Sequence, residues 1–359
     1  MKVLHVIPTL EIGGAETLLV KSIPYYLKNN IKVDILVFKR TDSFLLKELE
    51  TKYNIFVLGI SSVYSPLCVF KMLKYINKYD IVHTHLSTPL YWSSIAKTIL
   101  FSRTNLVHTE HNTENKRRGN FFLKIIECFI YSKFKKVISI SNQTNKNLKR
   151  HLNLLRKKSF YEVVLNGVDL IEIKNSRTSN LRNLLKLKNK KLIIQVSNFT
   201  KQKDQKTVIK AFSILPSDYY LALVGEGPTK TECISLVEKL DLRDRVRFLG
   251  KRSDVYKLFK ACDLSVQSSH YEGFGLVAVE AMACGKPVVA SNVKGLSDVV
   301  NGAGILFKKG DYKELAFHVR ELIENREHYR SVSEACLERS KMFSIEKMVN
   351  EYVKIYKEI

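Results

Sequence analysis

Short, almost uninterrupted runs of Val, Ile and Leu alternate along the chain with longer stretches whose apolar residues recur at helical spacing. In the first half these apolar runs are 2–8, 32–38, 54–60, 80–85, 105–110 and 136–141. Continuous apolar runs are typical of strands covered on both faces, as in parallel sheets. Because helical patterns separate the runs, the pattern predicts a doubly wound α/β domain.

A second α/β series begins after a polar, basic stretch at 172–191. Its apolar runs are 191–197, 220–225, 245–250, 263–267, 286–291 and 303–307, and the tail from about 311 is helical. We therefore predict two Rossmann-like domains, at 1–170 and 171–340, and a C-terminal helix at 341–359 that packs back on the first domain. Two such domains would face a central cleft at the carboxyl ends of their strands, where ligands bind in folds of this kind.

The composition is that of a globular protein. The chain has 359 residues, of which 45% are hydrophobic, and no run of about 18 uncharged apolar residues predicts a transmembrane helix. The apolar start, 1–14, contains Pro8 and lacks a small-residue cleavage site, so it favours a buried strand over a signal peptide. Six scattered cysteines without a Cys-x-x-Cys pair favour reduced thiols in the cytoplasm and argue against a zinc or disulfide framework.

The net charge of +24 is concentrated in one part of the chain. Residues 101–160 contain 14 Lys and Arg against three Glu. Three hypotheses fit this charge: a solvated surface without a partner, an anionic membrane surface, or a nucleic-acid groove. Aromatic residues mixed with lysines at 121–136 suit an interfacial surface, and would suit a buried helix edge almost as well. No zinc-finger, RNP or KH signature is present, so nucleic acid is the least favoured partner.

In the first domain, residues with useful chemistry directly follow strands. Gly13 and Gly14 precede a helix, where paired glycines can bring backbone amides close to an anion, although such pairs are often only tight turns. A loop histidine is more often structural than catalytic, but the position of His111 after a central strand favours a functional role. His83 and His85 also lie at a strand end. No carboxylate or cysteine has ligand spacing with these histidines, so we predict no metal site.

In the second domain, Lys203 follows the first strand and lies close to Lys201. Its ammonium group could bind a phosphate as a point charge, and the alternative is a solvated lysine cluster. Gly225 and Gly227 follow the next strand. Residues without a Cβ permit close approach of the backbone to a neighbouring group.

Two glutamates, Glu272 and Glu280, occur in one loop-and-helix segment. Gly273 and Gly275 should expose amides at the N-terminus of the helix LVAVEAMA, which suits a diphosphate. This helix is apolar on every side, so we expect it to be buried and Glu280 to need hydrogen-bond partners. A ribose diol would supply two donors, and the alternative is an ion pair with a basic residue such as Arg252.

Taken in order, these motifs resemble the retaining glycosyltransferases of family 4, which have the GT-B fold. The resemblance covers nearly the whole chain, and the combination of motifs is specific although no single motif is. The motifs are GGAE at 13–16, HTEHN at 108–112, ISISN at 138–142, LNGVD at 165–169, QKD at 202–204, LVGEGP at 223–228, VRFLG at 246–250 and the Glu–seven residues–Glu motif from Glu272 to Glu280.

The resemblance implies a role for each candidate residue in binding a nucleoside diphosphate sugar. Glu280 would hold the ribose hydroxyls, Glu272 the hydroxyls of the transferred sugar, and Lys203 the diphosphate leaving group. His111 would lie beside the sugar and help to position the reacting centre. The other donor-binding positions, which would contribute backbone, loop or base-pocket contacts, are Gly13, Gly14, Asn198, Gly225, Gly250, Lys251, Gly273, Phe274, Gly275 and Leu276.

Asn198 departs from the family pattern. Many members have arginine at this position, five residues before the lysine. Asparagine cannot supply the same charge, so more of the leaving-group stabilisation should fall on Lys203. The departure therefore affects donor affinity or leaving-group contacts rather than the fold.

The resemblance implies transfer of a hexosyl or N-acetylhexosaminyl group, with retained configuration, from a UDP-sugar to a saccharide bound by the first domain. The acceptor is expected to be lipid-linked and the product a capsule or O-antigen polysaccharide. Lysine and backbone amides would stabilise the leaving group, so no metal or other cofactor is expected. No carboxylate nucleophile is evident in the first domain, which favours front-face attack over a covalent intermediate.

The expected location is the inner face of the cytoplasmic membrane, where the basic residues of 101–160 would hold the protein peripherally. Two alternative functions remain. One is a nucleotide-sugar epimerase of the same architecture, which would need acid and base carboxylates facing the sugar. The other, less favoured, is a nucleic-acid-binding protein.

Overall fold

A computed structural model describes residues 1–11, 13–111, 121–152, 160–187 and 189–359. These residues form two compact units, the first being Met1–Gly167 with Ile345–Ile359 and the second Val168–Ser344. Parts of the basic segment, 112–120 and 153–159, lie outside the described residues, as does the last residue of the HTEHN motif. Within the described ranges, no helix combines the length and the apolar character needed to cross a membrane.

The first unit is built on a seven-stranded parallel sheet of order β3-β2-β1-β4-β5-β6-β7. Its strands are β1 (Lys2–Ile7), β2 (Lys32–Val37), β3 (Ile55–Val57), β4 (Ile81–His85), β5 (Asn105–Glu110), β6 (Lys136–Ser139) and β7 (Tyr161–Val163). Its helices are α1 (Gly14–Lys28), α2 (Phe44–Glu50), α3 (Leu67–Ile76), α4 (Ser87–Ile99), α5 (Phe121–Ser132), α6 (Asn142–His151) and, from the end of the chain, α16 (Ile345–Lys357).

The second unit is built on a six-stranded parallel sheet of order β10-β9-β8-β11-β12-β13. Its strands are β8 (Lys191–Val196), β9 (Tyr219–Val224), β10 (Val246–Phe248), β11 (Leu264–Gln267), β12 (Val288–Ser291) and β13 (Ile305–Phe307). Its helices are α7 (Leu170–Asn175), α8 (Leu181–Leu184), α9 (Gln205–Phe212), α10 (Lys230–Lys239), α11 (Val255–Ala261), α12 (Leu276–Ala283), α13 (Leu296–Val300), α14 (Tyr312–Glu324) and α15 (Arg326–Ser340), with a 3₁₀ turn at Lys341–Phe343.

The predicted pair of doubly wound α/β units is confirmed. The central strands are buried along almost their whole length, which explains why their sequences are continuous rather than alternating. In each sheet the strand order reverses once, between β1 and β4 in the first unit and between β8 and β11 in the second. Such reversals mark the point where ligands bind, outside the carboxyl ends of the strands.

The C-terminal segment divides between the two units. The 3₁₀ turn belongs to the second unit, where the ring of Phe343 lies 5.5 Å from that of Phe274. Helix α16 belongs to the first unit, and the hydroxyl of its buried Tyr356 lies 2.5 Å from Nδ1 of His83. The hydroxyl of Tyr352 lies 3.2 Å from Oγ1 of Thr109. The helix that joins the first unit therefore begins at Ile345 rather than at 341.

Candidate active site

In the second unit, the predicted residues Lys203 and Glu272 lie on the two loops that follow β8 and β11. These strands are neighbours at the reversal of the sheet, with Leu264 paired to Ile193 and Ser265 paired to Ile194. The two loops therefore begin side by side at the carboxyl edge of the sheet. This is the position at which open α/β sheets bind ligands.

Two buried polar residues fasten these loops together. Gln195, inside β8, donates from Nε2 to the backbone oxygen of Lys203 at 3.0 Å and to Oγ of Ser268 at 3.1 Å. The Ser268 hydroxyl lies 2.9 Å from the backbone oxygens of both Lys203 and Asp204. The backbone that carries Lys203 is therefore fixed by the core of the sheet. Gln195 and Ser268 were not predicted from the sequence, although a glutamine within the apolar run KLIIQVS is a visible signal.

A further set of contacts joins the turn at 202–204 to the loop that carries Glu272. The backbone nitrogen of His270 donates to the oxygen of Gln202 at 2.7 Å, and Nε2 of Gln202 donates to the oxygen of Tyr271 at 2.9 Å. Asp204 has a left-handed conformation, with φ of +45°, and caps α9 by accepting from the backbone nitrogen of Thr207. The turn and the loop thus form one connected unit of backbone.

Lys203 and Glu272 form an ion pair between Nζ and Oε2, and their side chains are 21% and 16% exposed. Oγ of Ser269 is also 3.2 Å from the same carboxylate oxygen. From the sequence, these two residues were predicted to have separate partners, a diphosphate and a sugar, and their contact with each other was not predicted. This contact, together with that of Ser269, orients both side chains.

Gly225 and Gly227 are required by the packing of neighbouring loops. With φ of +137°, Gly225 brings its Cα so close to Ser197 that a Cβ would lie 2.1 Å from the Ser197 oxygen. A Cβ on Gly227, with φ of +154°, would lie 2.3 Å from the oxygen of Phe199. The nitrogen of Gly225 also donates to the oxygen of Gly250 at 2.8 Å. The close approach seen here is therefore between the loops that follow β8, β9 and β10.

The N-terminus of α12 begins at Gly275, which has φ of +94° and no side-chain cap. The helix starts with Leu276, directly after the half-buried Gly273 and the buried Phe274. Gly295 was not predicted from the sequence, and a Cβ at this position would lie 2.3 Å from the backbone oxygen of Glu272. A glycine is thus needed before α13 so that the loop of Glu272 can pass.

The expectation that α12 is buried on every side is wrong. Its buried residues lie on one face, whereas Leu276, Val277, Glu280 and Ala283 are only half-buried. Leu276, Glu280 and Ala283 are spaced by four and three residues and share a face of the helix. Glu280 is therefore a partly exposed carboxylate, not a fully buried one.

Glu280 has a tyrosine as a hydrogen-bond partner. The hydroxyl of Tyr256 donates to its Oε1 at 3.3 Å. Burial, and then the negative charge of Glu280, raises the pKa of Tyr256 well above its ordinary value, so this tyrosine stays a hydroxyl donor. Arg252, the alternative partner, instead makes a bidentate pair with Asp254 at 2.8 and 2.7 Å. The two remaining loop positions, Asn198 and Lys251, are exposed.

In the first unit, the glycine pair follows β1 at the reversal of the sheet. Gly13 is the N-cap of α1 and makes no side-chain capping bond, and Gly14 is its exposed first residue. Nothing lies within 4 Å of a Cβ built on Gly14. The space beside Gly14 is therefore open, as an anion at a helix N-terminus would require, whereas the carboxylate of Glu16 lies against Gly13.

The first unit also contains a chain of histidines. Nδ1 of His5, in β1, lies 2.9 Å from Nε2 of His85, the last residue of β4. Nδ1 of His85 lies 3.3 Å from Nε2 of His111. Together with residues of α1 and α16, His85 and His111 line a small cavity. The parallel register, which pairs His5 with His83, brings these residues together from two strands and one loop.

Burial keeps these imidazoles neutral. It lowers the pKa of His5 and of His108 to about 3, and lowers the pKa of His83 and His85 well below the ordinary value. Burial, assisted by His108, lowers the pKa of His111 to about 4. A neutral imidazole has one N–H donor and one acceptor nitrogen.

Ring nitrogens of His5, His83 and His85 lie within 4.8 Å of one another, a spacing at which they could hold a metal ion. However, the rings already hydrogen-bond within the protein. His83 contacts Tyr356 through Nδ1 and Thr109 through Nε2, at 2.5 and 2.7 Å. Because both nitrogens of His83 have protein partners, the geometry favours a hydrogen-bonded cluster over a ligand set.

Comparisons with known proteins identify the class. Residues 12–172 match the family model "Glycosyltransferase Family 4", and residues 176–339 match "Glycosyl transferases group 1". The chain therefore belongs to the family 4 glycosyltransferases and has their GT-B fold of two Rossmann-like domains, as the sequence motifs predicted.

Individual relatives agree with this assignment. The chain is 30% identical over 292 residues to N-acetyl-alpha-D-glucosaminyl L-malate synthase of Bacillus anthracis, covering 78% of this chain and 75% of the relative. It is 25% identical over 283 residues to the N-acetylgalactosamine-N,N'-diacetylbacillosaminyl-diphospho-undecaprenol 4-alpha-N-acetylgalactosaminyltransferase of Campylobacter jejuni, covering 77% and 75%. The crystal structure of Anabaena HepE in complex with UDP and glucose has a TM-score of 0.87 and 25% identity, covering 100% of both chains.

The neutral histidines predict acid sensitivity of the first unit. In the unfolded chain a histidine has a pKa of about 6.5, so the unfolded state binds more protons than the folded state below that pH. Stability is therefore complete above pH 6.5 and falls as the pH drops toward the folded values. For His5 or His108, with a pKa of about 3, the loss at pH 5 should be about 2 kcal/mol each.

Denaturant unfolding, followed by fluorescence, measures this loss. Trp92 is the single tryptophan of the chain and lies in α4, so its emission reports on the first unit. A His108→Gln variant should reduce the pH slope of the free energy of unfolding by up to about 1.4 kcal/mol per pH unit. A slope near zero between pH 5 and 6.5 in the unsubstituted protein would contradict the neutral cluster.

Proposed function

We propose that this glycosyltransferase moves a hexosyl or N-acetylhexosaminyl group from a UDP-sugar to an acceptor hydroxyl, with retention of configuration. The observation that carries the proposal is the contact between Lys203 and Glu272 at the reversal of the second sheet. A cation that suits a diphosphate and a carboxylate that suits sugar hydroxyls lie side by side there. The same two groups, diphosphate and sugar, are joined by a single bond in a nucleotide sugar. HepE of Anabaena, which shares this fold, is described with UDP and glucose.

In this proposal the donor replaces the contact between Lys203 and Glu272. The ammonium group of Lys203 turns to the diphosphate and the carboxylate of Glu272 accepts hydrogen bonds from the sugar. Because both loops are fastened through Gln195 and Ser268, the side chains reorient without movement of the backbone. Amides at Phe274, Gly275 and Leu276, together with the dipole of α12, add positive potential beside the diphosphate.

We assign the nucleoside to the other end of the site. The half-buried carboxylate of Glu280 accepts hydrogen bonds from the ribose hydroxyls, and Tyr256 holds its orientation. Gly250 and Lys251 lie on the loop assigned to the base. Asn198 contributes no charge, so Lys203 is the main side-chain cation for the leaving group. In the first unit, the open start of α1 at Gly14 is assigned to the diphosphate as well.

The proposed reaction is front-face substitution. The bond from the anomeric carbon to the diphosphate oxygen breaks, and its electron pair remains on the diphosphate, where Lys203 and the amides of α12 stabilise the charge. The acceptor oxygen forms its bond on the same face, and its proton passes to the departing diphosphate oxygen. His111 hydrogen-bonds the sugar and orients the reacting centre. We propose that lysine and backbone amides make a metal unnecessary.

We further propose a lipid-linked saccharide acceptor and a peripheral position at the inner face of the cytoplasmic membrane. Helix α5, within the basic segment, presents an apolar face of Leu123, Ile125, Ile126 and Phe129, with exposures of 37–54%. Lys133 lies over the ring of Phe129 at 4.3 Å. An apolar face bordered by lysines suits an anionic lipid surface. The name of the Campylobacter jejuni relative includes a diphospho-undecaprenol acceptor, whereas that of the Bacillus anthracis relative includes malate.

Not every aromatic or basic residue of this segment supports membrane contact. Tyr131 and Phe134 are buried, and the side chains of Phe121 and Phe122 lie outside the described residues. Lys136 is largely buried and pairs with Glu162 and with Glu358, at 2.8 and 3.1 Å. The proposed membrane contact therefore rests on the exposed face of α5. The product of the proposed transfer would be a surface polysaccharide such as capsule or O-antigen.

Removal of the Lys203 charge tests the catalytic proposal. A Lys203→Ala variant should release UDP from its matching UDP-sugar with kcat lowered about 100-fold or more, because the leaving group loses its main side-chain cation. The assay screens a panel of UDP-sugars with and without candidate acceptors. Lys201→Ala is the matched control, since Lys201 is an exposed lysine in the same loop.

Two outcomes would count against the proposal. If Lys203→Ala had the same kcat as Lys201→Ala, Lys203 would have no role in the reaction. Conversion of the UDP-sugar to an epimer, without UDP release or transfer, would favour the epimerase alternative.

The membrane proposal predicts binding to vesicles. The protein should float with vesicles that contain anionic phospholipid, and binding should weaken as salt screens the basic residues. An Ile125→Ser, Phe129→Ser double variant should lose most of this binding. Leu184→Ser, which removes an exposed leucine from the second unit, serves as control. Equal binding by both variants would exclude α5 as the contact surface.

A further inference from the structure

His85 occupies the middle of the histidine chain in the first unit. It is 6% exposed and ends β4. One ring nitrogen contacts His5 at 2.9 Å and the other contacts His111 at 3.3 Å. The tilted ring of His83 lies 4.4 Å away between centroids, so His85 is held by hydrogen bonds at both nitrogens and by a ring contact with His83.

The protons of this chain are coupled. Each ring is neutral near pH 7, so each has one donor and one acceptor nitrogen. A hydrogen bond between two imidazoles needs one donor nitrogen and one acceptor nitrogen. The position of the proton on one ring therefore fixes the positions of the protons on the other rings. Only two orders are possible: donation runs from His5 through His85 to His111, or in the opposite direction.

The buried end of the chain selects between these orders. Nε2 of His5 is buried and has no hydrogen-bond partner among the described residues. If donation ran from His111 toward His5, this nitrogen would carry a buried N–H without an acceptor. Donation away from His5 instead leaves its Nε2 as a buried acceptor without a partner. In proteins, buried donors without a partner are rarer than buried acceptors without one.

We propose that His85 is a positioning residue that fixes His111 as the tautomer with its proton on Nδ1. In this arrangement Nδ1 of His85 donates to Nε2 of His111, and His5 fixes the proton of His85. His111 then presents an N–H donor to the sugar and does not act as a proton acceptor. This inference rests on the proposed function of His111, and it agrees with a mechanism in which the departing diphosphate takes the acceptor proton.

Neighbouring groups are engaged elsewhere. His83 contacts Tyr356 and Thr109, and Nδ1 of His108 lies 2.9 Å from Oγ1 of Thr84. The carboxylate of Glu110, next to His111 in sequence, accepts from the Tyr131 hydroxyl at 2.9 Å. These contacts leave His85 as the imidazole that meets His111 directly.

Two amide substitutions separate the two contacts of His85. The side-chain nitrogen of asparagine, a donor, reaches about as far as Nδ1 of histidine, and the side-chain oxygen of glutamine, an acceptor, reaches about as far as Nε2. His85→Asn can therefore still donate to His111 while losing His5, whereas His85→Gln keeps the contact to His5 and loses His111. A purely structural role would make both variants lose stability and activity together.

The first readout is kinetic. With the matching UDP-sugar, His85→Gln should lower kcat about tenfold or more with little change in KM, because the loss falls on the transition state. His85→Asn should recover most of that loss. Melting temperatures of both variants show whether a loss of kcat follows a loss of fold. Equal kcat values for the two variants would overturn the proposal.

The second readout needs no activity. In protein labelled with ¹⁵N-histidine, the ring-nitrogen shifts of His111 should show the proton on Nδ1, with assignment from a His111→Asn variant. The His85→Gln variant should shift His111 toward a mixture of tautomers. A proton on Nε2 of His111 in the unsubstituted protein would refute the positioning role. If the tautomer is as expected but His111→Ala retains full kcat, the proposed function of His111 fails instead.

Discussion

The donor site depends on one constraint: two loops at the carboxyl edge of the second sheet must be fastened side by side. Gln195 and Ser268 do this from within the sheet, through the backbone oxygen of Lys203. Both residues are buried, so their hydrogen bonds cannot be lost to water without the cost of unsatisfied polar groups. These hydrogen bonds therefore determine where Lys203 and Glu272 lie. Their side chains are partly exposed, but the backbone oxygen of Lys203 is held from within the sheet.

The two units contribute opposite kinds of chemistry. The second unit holds charged groups, with Lys203 beside Glu272 and the carboxylate of Glu280 beside a phenol. The first unit holds imidazoles that burial keeps neutral. A neutral imidazole offers direction rather than charge, because its single N–H points along one axis. In the proposed reaction, stabilisation of the leaving group therefore comes from the second unit and orientation of the sugar from His111.

The sequence was sufficient for the fold and the family because both depend on local patterns. Buried parallel strands require continuous apolar runs, and motifs at strand ends keep their order along the chain. Contacts between residues that are distant in sequence could not be predicted in the same way. Nothing local shows that Lys203 touches Glu272, or that Gly295 must let the loop of Glu272 pass. The burial of α12 was misjudged because an apolar sequence does not require burial on every face, and the half-exposed face includes Glu280.

The central claim is that Glu280 and Glu272 bind opposite ends of one nucleotide sugar. Calorimetric affinities for UDP and for the matching UDP-sugar test it most directly. Glu280→Ala should weaken both ligands about 10- to 100-fold, as expected when a charged hydrogen-bond acceptor is lost. Glu272→Ala should leave the affinity for UDP undiminished, because Lys203 no longer pairs with a carboxylate. The same variant should lose the additional affinity that the sugar gives to the UDP-sugar. Equal losses for both ligands in Glu272→Ala, or unchanged UDP affinity in Glu280→Ala, would contradict the account.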